Sequence, residues 1–143
     1  MARQRWTKGA VLEVPLSSGV LVKAQMLKEP EFAFFHPEDE DLLLFRLWVH
    51  KSAYNTGRWT KIGKAAIRQD LTRQVDRFKQ DPISGQLSIY RDEIDLPATV
   101  SDCEGLERAA VWDPHHVESR LEDELAGRPN KWVESLKMDP DRL

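Results

Sequence analysis

Apolar residues fall into short runs with a two-residue period over the first two-thirds of the chain, and recur at helical spacing in the last third. The runs Ala10 to Leu16 and Val20 to Leu27 flank Ser17-Ser18-Gly19. A short loop containing Gly between two such runs predicts a β-hairpin. Strand alternation sets Val11 and Glu13 on one face and Leu12, Val14 and Leu16 on the other, while Pro15 suits an edge or a bulge. Phe32-Ala33-Phe34-Phe35 predicts a third strand, closed by His36-Pro37 and a solvated acidic loop from Glu38 to Asp41. Leu43 to His50 predicts a fourth. Its Leu43, Phe45, Leu47 and Val49 are expected to face a core, and Leu44, Arg46, Trp48 and His50 to face away.

After the turn signal Asn55-Thr56-Gly57 the periods compete. Ile67, Leu71, Val75 and Phe78 recur at helical spacing and predict an amphipathic helix, although no N-cap residue marks its start. Asp81-Pro82-Ile83-Ser84-Gly85 reads as a turn, Leu87 to Tyr90 or Arg91 as a strand, and the residues through Pro97 to Cys103 as a linker. Asp113 can then cap a helix with Pro114 at its first position, Val117, Leu121 and Leu125 as its apolar stripe and Gly127 as its stop. Pro129-Asn130 opens a shorter helix with Trp132, Val133 and Leu136 inward. These elements predict an α+β fold: a curved, barrel-like antiparallel sheet with two short C-terminal helices packed on it. We expect a single domain over 1–143, sheet-rich over about 8–92 and helical over about 113–138.

Composition narrows the class. With 143 residues, 41% apolar and 31% charged, the chain has the makings of an ordinary globular domain and not of a disordered one. The longest apolar run, Leu42 to Val49, is broken by Arg46 and falls well short of the roughly 20 residues of a membrane span. The N-terminus lacks the apolar run of about 7–15 residues that marks a secretory signal. A single cysteine, Cys103, allows no internal disulfide. A cytoplasmic location is the expectation.

The net charge of -3 conceals a division. From Lys51 to Lys79 there are eight Lys or Arg against Asp70 and Asp76; from Asp92 to Gly127 there are eleven Asp or Glu against Arg108 and Arg120. Two such surfaces can steer partners or pair with each other.

Candidate chemistry is sparse. Cys103 precedes His115 and His116, but Asp102, Glu104 and Glu107 around it disfavour a thiolate, so a structural thiol is expected. Adjacent histidines on a helix point about 100° apart, which does not suit a shared metal ion with Glu118. No Gly-rich phosphate cradle is present, and the acids Glu38 to Asp41 read as solvated. We therefore expect no catalytic residue, no metal, no cofactor and no enzymatic activity. The basic aromatic segment Lys51 to Lys64 offers Tyr54, Arg58, Trp59 and Lys61, which could hold phosphates and stack bases in a small nucleic-acid- or peptide-binding module. The competing reading makes Trp59 a core residue and the lysines a solvated rim.

Three stretches carry a family resemblance: KGAVLEVPLSSGVLVKAQML, VHKSAYNTGRWTKIGKAAI and CEGLERAAVWDPHHVESRLEDELAGRPNKWV. In this order they resemble the immunity protein 26 family of bacterial polymorphic-toxin systems. The hairpin turn Ser17-Ser18-Gly19 departs from the more acidic turn expected there. The resemblance implies a cytoplasmic, non-enzymatic protein that binds a cognate protein toxin and blocks it, with no catalytic residues to carry over. Many such toxins are nucleases with basic grooves. An acidic surface of Asp102, Glu104, Glu107, Glu118, Glu122, Asp123 and Glu124 is then expected to face the partner, with nucleic acid the less favoured ligand.

Overall fold

A computed structural model describes residues 3–142. In chain order the elements are β1 (Ala10–Pro15), β2 (Leu21–Met26), β3 (Glu31–His36), β4 (Asp39–Val49), α1 (Ser52–Asn55), β5 (Thr60–Lys64), β6 (Arg77–Gln80), β7 (Leu87–Arg91), β8 (Ile94–Pro97), β9 (Val111–Trp112), α2 (Pro114–Ala126) and α3 (Lys131–Ser135). Short 3-10 turns lie at Gln69–Leu71, Ser101–Cys103 and Pro140–Arg142. The fold is α+β, as the sequence predicts. The chain divides into two compact units, one built from residues up to Arg73 with Val111–Asn130, the other from Gln74–Ala110 and the residues from Lys131 on.

The first unit is a strongly curled half-barrel of six strands in the order β5-β1-β2-β3-β4-β9. Every neighbouring pair is antiparallel except β4 with β9. The predicted hairpin is present, with Val14 opposite Val22 and Val11 opposite Gln25. Gly19 in its turn has φ 91°, a left-handed conformation that Gly adopts without steric cost. The inner face buries Leu12, Val14, Val22, Ala24, Met26, Phe32, Phe34, Phe45, Leu47 and Val49. Aromatic edges close this core: Phe32 meets Trp6 at 5.0 Å and Trp59 at 5.4 Å between ring centroids, and Phe34 meets Phe45 at 5.3 Å.

Two expectations about β4 are corrected by its pairing. The acids Asp39, Glu40 and Asp41 are not a loop, because His36 and Asp39 are already opposite each other across a two-residue turn and the strand begins there. Leu43 does not share a face with Phe45. The register runs Phe34 to Phe45 and then Phe35 to Leu43, so one residue of β4 is left over, and such a bulge reverses the side-chain alternation beyond it. Leu43 accordingly packs with Leu27, Ala33, Phe35, Ile67 and Leu71 on the other face of the sheet. Both faces of β3 are therefore covered, and Glu31 to Phe35 are all buried.

The helix expected over Ile67 to Phe78 does not form. Leu71 belongs to a single 3-10 turn in the first unit, whereas Phe78 lies on strand β6 of the second. Ion pairing and packing hold the end of the first-unit segment instead. Arg46, bonded to buried Glu31 at 2.7 Å, also donates to the carbonyls of Leu71 and Arg73.

Helix α2 starts and stops where its sequence signals put it, and of the expected stripe Leu125 is only half-buried. Asp113 caps it by accepting from the His115 N–H at 2.8 Å, Pro114 stands at the first position, and Gly127 closes it at φ 68°. Val117 and Leu121 are buried, and the Arg120 guanidinium lies 4.2 Å from the Phe45 ring centroid and 5.2 Å from that of Trp112.

The second unit is a three-stranded antiparallel sheet in the order β6-β7-β8. Its core is Phe78, Leu87, Ile89 and Cys103, with Ala98, Leu106 and Met138 against them. The linker expected after Arg91 is in fact a turn at Asp92-Glu93 followed by β8. Trp132, Val133 and Leu136 in and after α3 are half-buried, and no residue of that helix is fully buried. Among the described residues, no helix is long and apolar enough to cross a membrane.

Candidate functional site

The basic aromatic segment is organised by its neighbours in the first unit. Helix α1 buries Ala53 and Tyr54, and the chain then turns through Gly57 so that the Trp59 N–H reaches the Ala53 carbonyl at 2.8 Å. This places Trp59 wholly inside, between Phe32 and Phe34. Tyr54 is 7% exposed. A base-stacking platform needs an open ring face, and neither ring presents one. Lys61 donates to the Thr7 hydroxyl at 2.8 Å, and its backbone N–H bonds to Gln4, whose side-chain N–H₂ in turn reaches the carbonyls of Tyr54 and Trp59. The segment is a scaffold knitted to the N-terminal arm.

Arg58 belongs to the same scaffold through α2. Its Nε and Nη2 donate to the two carboxylate oxygens of Glu118 at 2.6 and 2.9 Å, and the Trp59 indole N–H donates to the same carboxylate at 2.9 Å. Glu118 stands one helical turn from buried Pro114 and Leu121 on α2, at the border of the buried face. The hydrogen bond to Glu118 holds the Arg58 guanidinium above its ordinary pKa, with Asp113 adding to the effect. The other acids of α2 are engaged too. Glu122 accepts from both the N–H and the hydroxyl of Ser17 in the β1–β2 turn. Asp123 accepts from Asn130 at 2.8 Å and pairs with Arg128 at 3.1 Å. Of the α2 acids proposed to meet a partner, Glu124 alone is exposed.

Asp102, Glu104 and Glu107 lie on the second unit. Asp102 and Glu104 are exposed and Glu107 is half-buried. Hydrogen bonds from the Thr99 N–H and hydroxyl hold the Asp102 carboxyl below its ordinary range. The Cys103 thiol is buried, and its pKa is pushed up first by burial and then by Asp102, which leaves it a poor nucleophile. His115 and His116 sit on the first turn of α2, and among the described residues no group of three or more His, Cys, Asp or Glu is placed to hold a metal ion.

Sequence reasoning passed over one surface. In the stretch Asp92 to Pro97 every residue is exposed, and it combines the acids Asp92, Glu93 and Asp95 with Ile94 and Leu96, which are 60% and 40% exposed. The alternation of Ile94, Asp95 and Leu96 was the available signal, hidden by the reading of Pro97 as a linker residue. A depression of about 440 Å³ on this unit is lined by Lys79, Asp81, Gln86, Ser88, Asp95 and Pro97 among others.

Compared with known proteins, the chain matches no family model, no curated protein and no solved structure.

Proposed function

We propose that the protein works by binding another protein through an acidic surface, and, on its resemblance to the immunity protein 26 family, that the partner is a cognate bacterial toxin, a nuclease in the simplest case. The observation that carries this reading is the exposure of acids beside apolar residues on the second unit: Asp92, Glu93, Asp95, Asp102 and Glu104 with Ile94, Leu96 and Val100. Apolar area supplies attraction at short range, and acids steer a basic groove toward it and disfavour nucleic acid. The acids of α2 contribute less, since Glu118, Glu122 and Asp123 are half-buried as well as bonded within the first unit, whereas Asp95 and Asp102 are exposed. The competing reading, a nucleic-acid or peptide module built on Tyr54, Arg58, Trp59 and Lys61, would have to work with rings that are buried.

The test is the neighbouring gene. A toxin encoded beside this chain and co-expressed with it should lose its lethality and elute with it as one complex. Undiminished killing in the presence of excess chain, or no toxin gene there, overturns the reading.

A further inference from the structure

Strand β8 is the outer strand of its sheet, and all four of its residues are exposed. A strand that packs on a core normally buries alternate residues. Here Ile94 and Leu96 stay 60% and 40% exposed on one face, and Asp95 points to the other, where it pairs with Lys79 at 3.0 Å.

The backbone shows what the edge offers. The two-residue turn Asp92-Glu93 makes Arg91 and Ile94 a pair that exchanges hydrogen bonds, and such pairs alternate along an antiparallel ladder. Ile89 and Leu96 form the next exchanging pair, and the Ala98 N–H continues the series by reaching the Leu87 carbonyl at 3.2 Å. Asp95 and Pro97 fall on the positions between. The N–H and carbonyl of Asp95 and the carbonyl of Pro97 therefore point away from β7, at the open side of the sheet. Pro97 occupies the place where a second N–H would have pointed outward, which limits pairing to a short window centred on Asp95.

We propose that an extended segment of a protein partner, alternating apolar and basic residues, adds to the free edge of β8. The inference rests on the reading that the partner is a protein met by an acidic surface, and it names the place and the kind of segment. A strand added at Asp95 sets one of its faces beside Ile94 and Leu96, which favours apolar residues, and the other beside the exposed Asp95 carboxylate, which favours a Lys or Arg that shares it with Lys79. The depression lined by Lys79, Asp81, Ser88 and Asp95 lies on that second face and has room for a long side chain, with two carboxylates against one ammonium in its charged lining. A second copy of this chain is the weaker occupant, because symmetric pairing through β8 brings Asp95 opposite Asp95.

The experiment is an NMR titration of the full chain with a ten-residue peptide alternating Lys and Val. Shift changes centred on residues 93–97, with slowed exchange of the Asp95 amide, are expected. A peptide methylated at the backbone nitrogens of alternate residues should bind about 10-fold more weakly, as should Asp95→Pro, which removes the outward donor without removing a bond to β7. Asp95→Ala, which keeps that donor, should lose less. Should Asp95→Pro misfold, the methylated peptide on the unaltered chain decides. Shifts falling on α2, equal affinity for the methylated peptide, or no binding at millimolar peptide overturns the proposal. A toxin complex of unchanged affinity in Asp95→Pro sinks strand addition and leaves the proposed function standing. Peptide addition at β8 without toxin neutralisation does the reverse.

Discussion

Arg58 closes on Glu118 through two parallel N–H···O bonds across 60 residues of sequence, and the buried Trp59 indole shares the same carboxylate. This pair ties the basic middle of the chain to the acidic helix α2. Two surfaces that a linear reading assigns to opposite roles meet at one carboxylate.

The three donors at Glu118 do not weigh equally. Glu118→Ala leaves the Trp59 N–H buried without its acceptor, and an orphaned buried donor costs about 1–3 kcal/mol. With the loss of the Arg58 pair, a total near 3 kcal/mol is expected. Arg58→Ala should cost about 1 kcal/mol or less, because that side chain is 37% exposed and the carboxylate retains the indole. Urea unfolding followed by tryptophan fluorescence measures both. Equal effects would show that the indole bond contributes nothing. A charge reversal at Glu118 is, for the same reason, a probe of folding and not of partner binding.

The Glu31–Arg46 pair lies on the face of the sheet opposite the aromatic core, with side chains 1% and 10% exposed. Arg46→Ala takes the bonded guanidinium away from the buried Glu31 carboxylate, and breaking a buried pair costs up to about 3–5 kcal/mol. The carbonyls of Leu71 and Arg73 lose their donor as well. The double change Glu31→Leu with Arg46→Met should recover part of the loss by removing the buried charge. Thermal unfolding of the single and double variants checks this, and a double variant no better than the single would contradict it.

Tyr54 sets a pH limit. Burial first, and then the Glu29 carboxylate 3.4 Å from its hydroxyl, raise its pKa above the usual value of 10.0. Between the unfolded and the folded pKa the folded chain keeps a proton that the unfolded chain has released. The contribution of Tyr54 is thus complete below about pH 10 and is lost as pH rises through the folded value. Tyr54→Phe should flatten this alkaline decline in a stability-against-pH series, and an unchanged slope would rule the tyrosine out as its source.

The β7–β8 turn carries non-glycine residues at both left-handed positions, Asp92 at φ 50° and Glu93 at φ 67°. Asp tolerates this better than Glu does. Glu93→Gly is expected to raise stability by about 1 kcal/mol, since Asp-Gly is a preferred pair for this turn. The midpoint of denaturant unfolding reads the change, and a lower midpoint would mean that the Glu93 side chain contributes more than its backbone strain costs.

The local signals of this chain were legible. The β1–β2 hairpin follows from alternation around Ser17-Ser18-Gly19, and α2 from Asp113, Pro114 and Gly127, because turns and caps are decided by residues within a few positions of one another. What spacing could not give is whatever depends on a distant partner. The left-over residue in β4 that sends Leu43 to the second face arises from pairing with β3. The helical spacing of Leu71 and Phe78 is overridden because these residues belong to two different cores. The fate of each acid is of the same kind. In sequence Glu118 and Asp95 are equivalent charges in one acidic run; in the fold Glu118 is half-buried and held by Arg58 and Trp59, while Asp95 is exposed on an edge strand and meets the solvated ammonium of Lys79. A carboxylate's availability is a property of what the chain brings against it, and only the tertiary structure decides that.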